Sequence, residues 1–444
     1  MILVDTALQR RHLEGNPVRF GLVGAGYIGR QVTRQVLTRM QGIQVSAIAN
    51  RTLANAVRAY EDAGAGSPVV VDSVDALEDA ISRGRCAVTS DPTILCEAPS
   101  IDAVLEATGA VEYSANVALA ALRGHKHLIA MNAELDALVG PYLKVLADRA
   151  GVVYTNSDGD QPGVVMNLFR WVQTIGYRPV LAGNIKGMLD FYRTPETQRG
   201  YAERYKQDVR MCTSFADGTK LSFEQAVIAN ATGFGVARAG MYGPACAHVT
   251  EASRLFPLER LLEGGIVDYV LGAEPGPGVF VLGYDDEPAR KGPMEVYKLG
   301  TGPLYVFYVP YHLPHLEPPI SVARAVLFHD PVITPIGAPV CEVFATAKRD
   351  LSAGETLDGI GGFTCYGVID NAERTTPAEL LPMSLSEGCV LKRDVPRDQP
   401  ISYTDVDVPS GLLSIALRRE QDRHFTGSSP LDVVAVDQVP MAHG

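Results

Sequence analysis

The chain has 444 residues, of which 46% are apolar and 20% charged, enough to bury cores in about three domains. Acidic residues outnumber basic ones by 51 to 39, and the net charge of −12 argues against binding of nucleic acid or an anionic membrane. Seven cysteines without a Cys-x-x-Cys pair predict neither a disulfide framework nor a zinc site. We see no signal-peptide core or membrane-spanning run, so we expect a soluble, cytoplasmic protein.

Strands and helices alternate along the first third of the chain. A buried strand over residues 18–23 leads into a Gly-Ala-Gly-Tyr-Ile-Gly turn at 24–29, and a helix over 30–40 and a strand over 45–49 follow. The alternation continues to about residue 156, and a helix is predicted over 141–150 near its end. This order predicts an α/β fold with a Rossmann-type, doubly wound parallel sheet.

The later parts of the chain have a different pattern of predicted elements, and from this change we predict the remaining domains. A Rossmann-type domain over residues 1–156 is followed by a central α+β domain over 157–334. The last helix of that segment, near 320–328, could return to the first domain. Short strands separated by Gly, Pro and Asp predict a small β-rich domain over 335–415, and weak patterning predicts a flexible tail over 426–444.

The glycine-rich turn has the spacing G-x-G-x-x-G of a dinucleotide-binding loop. Gly24 permits the tight turn, Gly26 lets the backbone approach a pyrophosphate, and Gly29 allows close packing of helix on strand. A helix beginning near Tyr27 and Ile28 points N–H groups and its positive dipole end at that phosphate. The strand before the turn and the helix after it favour cofactor binding over a purely structural turn.

The end of the second strand indicates which dinucleotide is bound. An NAD enzyme usually places an acid there for the ribose 2′-OH, whereas this chain has Asn50, Arg51 and Thr52. Arg51 can pair with a 2′-phosphate, and Thr52 can donate to it. The sequence therefore predicts NADP(H) in preference to NAD(H), with a solvated surface arginine as the alternative.

Two further segments follow predicted strands. One is Glu106-Ala107-Thr108-Gly109, and the other is Met131-Asn132-Ala133-Glu134, with Thr108, Gly109, Asn132 and Glu134 as the candidate residues. Ligands collect at the carboxyl ends of strands in such sheets, so we expect these residues near the nicotinamide half of the cofactor. The alternative is ordinary loop polarity.

Several segments carry the pattern of a known family. They are residues 15–19, 140–144, 229–233, 240–244, 265–269, 311–313, 317, 321–324, 347–350, 354–355 and 357–358. Through them the first half resembles homoserine-dehydrogenase-type NAD(P)-binding proteins. Over roughly residues 10–415 the chain resembles the 1-deoxy-D-xylulose 5-phosphate reductoisomerase-like family.

The resemblance implies an NAD(P) domain, a catalytic domain, a C-terminal SAF domain and a homodimer. It implies the NADPH-dependent conversion of deoxyxylulose phosphate to methylerythritol phosphate, in which hydride transfer follows a skeletal rearrangement. The chain departs from the family at residues 159–164, where Gly-Asp-Gln-Pro-Gly-Val replaces Gly-Asp-Glu-Pro-Ser-Ser, and at 183–187, which keeps one lysine. Binding of a phosphate or a metal would use the acid and hydroxyl groups that this chain lacks. The substrate could therefore be unphosphorylated, and the requirement for a divalent metal stays open.

Carbonyl reduction requires a group that protonates the developing alkoxide, and Lys186 is our first candidate. A lysine entering a cleft would have its pKa lowered by desolvation, although a solvated loop lysine has the same sequence signature. Asp160 could orient Lys186 or bind substrate hydroxyls, or it could cap a turn. We add Glu134 as a further catalytic candidate.

Polar residues near these positions are candidates for substrate contact. Gln161 and Asn184 flank the two catalytic candidates. Glu224 and Asn230 follow in a strand-like apolar run over 223–233, and at its end a helix cap is equally possible for Asn230. His312 is a candidate for catalysis or substrate binding. His312, His315 and Glu317 could also ligate a metal, but Pro314 weakens that spacing and we assign no metal ligands.

The residues together predict an NADP(H)-dependent oxidoreductase or reductoisomerase that acts on a small polar carbonyl or hydroxyl metabolite. A simple dehydrogenase of a sugar acid, a polyol or a homoserine-like compound is the alternative within the same class. A dinucleotide-binding regulator without catalysis is the alternative from another class.

Overall fold

The computed structural model describes residues 3–432, which form two compact units. The first unit holds the chain up to Asp136 together with Gly140–Gly163 and Leu313–Thr334, so it includes the helix predicted near 320–328. The second unit holds Ala137–Val139, Val164–His312 and the described chain from Pro335 onward. The division at residue 335 stays a prediction, since the segments on its two sides contribute to one compact unit. Most of the predicted tail, residues 433–444, lies outside the described residues.

Helices and strands follow one another along the whole described chain. The helices are α1 (Leu3–Leu13), α2 (Tyr27–Arg39), α3 (Leu53–Asp62), α4 (Val74–Ser82), α5 (Thr93–Glu97), α6 (Val111–Arg123), α7 (Ala133–Ala150), α8 (Gln161–Thr174), α9 (Pro195–Tyr205), α10 (Val209–Ala216), α11 (Thr219–Thr232), α12 (Leu258–Gly264), α13 (Pro288–Val296), α14 (Pro318–Phe328), α15 (Ala372–Thr375) and α16 (Leu413–Thr426). The strands are β1 (Val18–Val23), β2 (Ile43–Ala49), β3 (Val69–Val70), β4 (Ala87–Thr89), β5 (Ala103–Glu106), β6 (His127–Ala130), β7 (Tyr154–Asn156), β8 (Arg178–Lys186), β9 (Ile266–Leu271), β10 (Gly278–Tyr284), β11 (Leu304–Val309), β12 (Cys341–Ala347), β13 (Cys365–Asn371), β14 (Val390–Leu391) and β15 (Val406–Asp407).

The first unit is built on a seven-stranded parallel sheet in the order β3-β4-β2-β1-β5-β6-β7. The chain moves outward from β1 to one edge and then returns to place β5 on the other side of β1. That reversal opens a crevice at the carboxyl ends of β1 and β5, where dinucleotides bind in such sheets. The predicted Rossmann-type α/β fold is confirmed.

Apolar runs explain why these strands are central. Phe20 and Leu22 of β1 and Ile48 of β2 are fully buried, as expected for a parallel sheet covered on both faces. Val32 of α2 and Val322 of α14 belong to the same core cluster. The sheet is therefore a packed platform that fixes where its carboxyl-end loops lie.

The second unit contains a four-stranded sheet in the order β11-β10-β8-β9. Strand β10 pairs antiparallel with β8 and β11, whereas β8 and β9 run parallel. The antiparallel pairs β12–β13 and β14–β15 follow in the C-terminal segment.

Helix α11 lies at the centre of this unit. It contacts β8 and β9 of the four-stranded sheet and also β12 and β13. Every residue from Thr219 to Ala231 is buried, because the helix is covered from more than one side. A helix buried all round carries its polar groups into the interior, where each of them needs a partner.

The structure corrects three details of the predicted elements. The strand-like run over 223–233 is the second half of α11, because an all-round apolar pattern fits a fully buried helix as well as a strand. The glycine-rich segment 183–187 is mostly strand, since β8 runs through Lys186. Helix α7 begins at Ala133 and carries Pro141 within it, whereas the sequence predicted a start at that proline.

Candidate functional site

The loop after β1 has the geometry of a close-packed glycine turn. Gly24 has a φ of +105°, and a β-carbon there would lie 2.9 Å from the carbonyl oxygen of Ala107. A β-carbon on Gly29 would lie 2.0 Å from the carbonyl oxygen of Gly24. Neither position accepts a side chain without movement of the backbone, which agrees with the turn and packing roles predicted for them.

Gly26 differs from the other two glycines because it faces open space. It precedes α2, is exposed, and a β-carbon there would have nothing within 4 Å. The N–H groups of the first helical turn, which begins at Tyr27 and Ile28, have no partners within a helix. This open backbone at a helix N-terminus can receive an anion such as a pyrophosphate.

Asn50 links the end of β2 to the glycine loop. Its Oδ1 accepts a hydrogen bond of 2.9 Å from the Ala25 N–H, and its Nδ2 donates to the Thr52 carbonyl at 2.8 Å. Arg51 and Thr52 are exposed at the same strand end. Asn50 therefore fixes the loop, and it leaves Arg51 and Thr52 available for a ligand.

A chain of hydrogen bonds joins the carboxyl ends of β5 and β6. The Thr108 N–H donates to Glu106 Oε1 at 2.8 Å, and the Thr108 hydroxyl donates to the same oxygen. The Ser114 hydroxyl lies 3.1 Å from the Thr108 hydroxyl and accepts from Asn132 Nδ2 at 2.9 Å. Asn132 Oδ1 then caps α7 by accepting the Leu135 N–H at 2.9 Å.

This network brings the predicted nicotinamide-side residues together. Glu106 and Ala130 are opposite one another in the β5–β6 register, so the segments that follow them share one edge of the sheet. Glu134 is buried in the first turn of α7. Burial raises the pKa of Glu106, and the charge of Glu134 adds to that rise. The sequence placed Glu106 in the segment 106–109 near the nicotinamide, but its burial and its hydrogen bonds with Thr108 could not be predicted before its neighbours were known.

A second group of charged residues lies around the turn after β7. Arg324 of α14 pairs with Asp158 at 3.3 Å and with Asp330 at 2.7 Å. Burial, with a smaller contribution from Asp158, raises the pKa of Glu317 to about 7. Glu317 therefore titrates near neutral pH, which is a property of acid–base groups.

Asp160 and Gln161 stand at the start of α8. Asp160 is half-buried, and its Oδ1 accepts the Gln161 N–H at 3.0 Å. Gln161 is buried. Asp160 thus has the turn-capping contact that the sequence allowed as its alternative, while its predicted catalytic role stays a prediction.

The polar cluster of the second unit is formed by β8 and α11. Asn184 and Lys186 are two residues apart on β8, so their side chains leave the same face of the strand. Lys220 and Glu224 are four residues apart on α11 and share one helix face. Asn184 Nδ2 donates to Glu224 Oε2 at 2.9 Å, which ties the two faces together.

Lys186 is the half-buried end of this cluster. Burial lowers the pKa of its amine, opposed by the negative charges of Glu224 and Asp217 and assisted by the positive charge of Lys220. The direction of this change is the one that a proton-transferring lysine requires. The sequence pointed to Lys186, Asn184 and Glu224 but not to Lys220, whose spacing from Glu224 has meaning only on a helix.

Asn230 and His312 lie elsewhere in the second unit's chain. Asn230 is buried within α11, and its Oδ1 accepts the N–H groups of Val340 and Cys341 at 2.7 and 3.1 Å. This arrangement favours a role in holding the C-terminal segment on α11. His312 is half-buried at the end of its segment.

Two features are absent from residues 3–432 of the chain. In that part of the chain, no group of three or more His, Cys, Asp and Glu side chains is arranged to hold a metal ion. Across the same residues, no helix combines the length and the apolar character needed to cross a membrane.

Two family models match adjacent parts of the chain. The model of the NAD binding domain of homoserine dehydrogenase matches residues 24–154, and that of the catalytic domain of oxidoreductase DRL matches residues 159–318. The chain therefore carries a homoserine-dehydrogenase-type NAD-binding domain followed by an oxidoreductase catalytic domain. Both matches agree with the predicted class of enzyme, an NAD(P)-dependent oxidoreductase. No curated protein matches the chain.

Solved structures of oxidoreductases are similar to the chain only in part. UDP-N-acetylglucosamine 3-dehydrogenase GnnA from Acidithiobacillus ferrooxidans is 12% identical over 71% of this chain and 91% of its own, with a TM-score of 0.40. Myo-inositol dehydrogenase from Lactobacillus casei is 14% identical over 67% and 75%, with a TM-score of 0.37. An NAD binding oxidoreductase from Klebsiella pneumoniae is 18% identical over 40% and 44%, with a TM-score of 0.28, so this chain spans less than half of that protein. At these scores no activity or substrate transfers to this chain.

Proposed function

We propose that this protein is an NADP(H)-dependent oxidoreductase for a small polar metabolite bearing a carbonyl or hydroxyl group. One observation carries the proposal: the open backbone at Gly26 stands beside a strand end that presents Arg51 and Thr52 where an NAD enzyme has an acid. No carboxylate at these positions repels a 2′-phosphate.

The residues of the first unit fit a dinucleotide. Gly24, Gly26 and Gly29 shape the loop, and the N–H groups at Tyr27 and Ile28 receive the pyrophosphate. In this proposal Asn50 positions the loop, while Arg51 and Thr52 contact the 2′-phosphate. The linked segments Thr108–Gly109 and Asn132–Glu134 border the nicotinamide half.

When bound, the nicotinamide supplies hydride to a substrate carbonyl or accepts it from an alcohol. Lys186 is the proposed acid that protonates the developing alkoxide, supported by the burial that lowers its pKa. Asp160, His312 and Glu134 remain our secondary catalytic candidates. Glu317, with its pKa of about 7, joins them as a group able to exchange a proton near neutral pH.

Substrate contacts are proposed for Gln161, Asn184 and Asn230. Asn184 has the strongest support, because it lies two residues from Lys186 on β8 and hydrogen-bonds Glu224. Asn230 has the weakest support, because its Oδ1 already accepts hydrogen bonds from the N–H groups of Val340 and Cys341.

The candidate substrates and reactions are argued from the sequence pattern alone. Conversion of deoxyxylulose phosphate to methylerythritol phosphate is one candidate reaction, and oxidation of a sugar acid, a polyol or a homoserine-like compound is the other. The replacement of the family's acid and hydroxyls at residues 159–164 favours the second group. We further propose a SAF-like role for residues 335–415, supported by the β12–β13 and β14–β15 pairs, and a homodimeric assembly.

A substrate panel tests the proposed function. Phosphorylated and unphosphorylated sugars, sugar acids, polyols and homoserine-like compounds, with deoxyxylulose phosphate among them, are mixed with enzyme and NADPH or NADP⁺, and nicotinamide absorbance is followed. We expect turnover with at least one of them, and we expect Lys186→Ala to reduce it by about 10²–10⁴-fold, the usual contribution of a general acid.

The exposed Lys291 provides the matched control, since Lys291→Ala removes a surface amine and should leave turnover unchanged. Turnover that survives Lys186→Ala would remove Lys186 from the mechanism. Bound NADPH without turnover of any compound would support a dinucleotide-binding regulator.

A further inference from the structure

The face that β8 and α11 share holds charged groups of both signs close to Lys186. Glu224 and Lys220 are buried, although both are residue types that proteins rarely bury without a specific partner. They lie one helical turn apart on α11, and Glu224 is held by Asn184 from β8 at 2.9 Å. A carboxylate and a second ammonium thus stand at fixed positions beside the amine that the proposed function uses.

We propose that Glu224 and Lys220 are positioning residues for Lys186, acting on its amine in opposite senses. Glu224 attracts the protonated amine and holds it in the cluster. Lys220 opposes the accumulation of a second positive charge and favours release of the proton. This inference rests on the proposed function, because it assigns a purpose to the chemistry of Lys186.

The hydrogen bond from Asn184 explains why Glu224 can act in this way. Asn184 is fully buried, and its amide fixes one carboxylate oxygen of Glu224 at the β8 surface. An amide donor favours the ionised form of a carboxylate, and the charge of that form can act on Lys186, two residues beyond Asn184 on β8.

The remaining charged groups of the adjacent elements are engaged by other partners. Asp217, in the turn before α11, pairs with Lys348 at 2.9 Å. Asp268 of β9 accepts the N–H groups of Tyr242 and Gly243, each at 2.9 Å. Glu224 and Lys220 share the helix face that Asn184 joins to β8, so their substitution should change the proton exchange of Lys186 most directly.

The arrangement permits a proton cycle that balances without any additional reactant. In the reductive direction the protonated Lys186 amine gives its proton to the substrate alkoxide and becomes neutral. In the oxidative direction the neutral amine takes the alcohol proton. Water restores the starting state in either case, and the two neighbours of opposite charge act on the balance between the protonated and the neutral amine.

The test measures proton binding at Lys186 without substrate or cofactor. The full-length protein is trace-acetylated with acetic anhydride across a range of pH, and the Lys186 peptide is quantified by mass spectrometry against the exposed Lys291 as internal reference. Because only the neutral amine reacts, the pH midpoint of labelling reports the proton affinity of each lysine.

Opposite shifts are expected from the two substitutions. Lys220→Met should raise the Lys186 midpoint and Glu224→Gln should lower it, each by about one pH unit, the effect of one nearby charge. Lys220→Arg keeps the charge and should leave the midpoint unchanged. Circular dichroism establishes folding, and Lys220→Gln replaces Lys220→Met if the latter does not fold.

Two outcomes would overturn the inference. Unmoved midpoints would show that neither neighbour acts on Lys186, and shifts in the same direction would show a general loss of packing. Failure of the proposed function looks different, since the substrate panel would then give no turnover while the opposed labelling shifts persisted.

Discussion

At the scale of single residues, the three glycines of the loop have different physical reasons to be glycine. A β-carbon on Gly29 would meet the Gly24 carbonyl oxygen at 2.0 Å, so Gly29 is required by the folded chain itself. Gly26 has an ordinary φ of −72° and open space around it, so the folded chain does not require it. In the proposed function, Gly26 is glycine because the pyrophosphate of the cofactor approaches its backbone.

This difference predicts separable effects of two alanine substitutions. Gly29→Ala should lower the free energy of unfolding by about 1–3 kcal/mol, the usual penalty of overpacking. Gly26→Ala should change stability by less than about 0.5 kcal/mol, as surface substitutions do. It should nevertheless weaken NADPH binding at least tenfold, because its methyl group would occupy the space of the pyrophosphate.

Denaturant unfolding and NADPH fluorescence titration measure these two effects. Equal destabilisation by both variants would contradict the assignment of Gly29 to packing. Undiminished NADPH binding by Gly26→Ala would contradict the assignment of Gly26 to the cofactor.

At the scale of elements, helix α16 is attached to β12 by a buried group of charges. Arg418 Nη2 lies 2.5 Å from Glu342 Oε1, and Arg418 Nε lies 2.7 Å from Asp422 Oδ1. All three side chains are nearly excluded from solvent. The arginine neutralises two carboxylates that would otherwise be buried together, since burial raises the pKa of Asp422 and Arg418 opposes that rise.

Removal of this arginine should be costly and should depend on pH. We expect Arg418→Met to destabilise the fold by about 3–5 kcal/mol at neutral pH, the cost of breaking a buried ion pair. The loss should shrink in acid, because protonated carboxyl groups no longer need a cation. Denaturant unfolding at two pH values measures both effects.

The exposed pair between Arg260 and Glu263 is the matched control. Arg260→Met should cost less than about 1 kcal/mol, as is usual for surface ion pairs. Similar losses in the two variants, or a loss from Arg418→Met that is the same at both pH values, would contradict this description of α16.

The sequence predicted local features better than features made by distant contacts. The loop at residues 24–29 is recognisable because its strand, turn and helix are contiguous, and the structure places them as predicted. Helix α11 was mistaken for a strand in part because it is buried all round, which removes the alternation of apolar and polar residues that identifies a surface helix.

The same difference between local features and features made by distant contacts applies to single residues. Lys186 was a candidate from its local sequence, whereas Lys220 became one only when α11 was placed against β8. Asn50 was predicted at the cofactor, but its hydrogen bond to Ala25 shows that it also shapes the loop. Such long-range partnerships have no signature within a short stretch of sequence.

At the scale of the whole molecule, a chain with a net charge of −12 has to hold an anionic cofactor locally. The first unit offers a helix N-terminus at α2 and the exposed Arg51 for this purpose. Because the rest of the protein repels anions, the loss of one such cation should weaken binding strongly.

Titration of the wild-type protein and the Arg51→Ala variant with NADPH and with NADH tests the central claim most directly. We predict that the wild-type protein binds NADPH at least tenfold more tightly than NADH. Arg51→Ala should remove most of that preference by weakening NADPH binding about 10–100-fold, the value of a charge-assisted contact of about 1.5–3 kcal/mol, with NADH binding little changed. Equal affinity of the wild-type protein for the two cofactors, or an equal effect of Arg51→Ala on both, would contradict it.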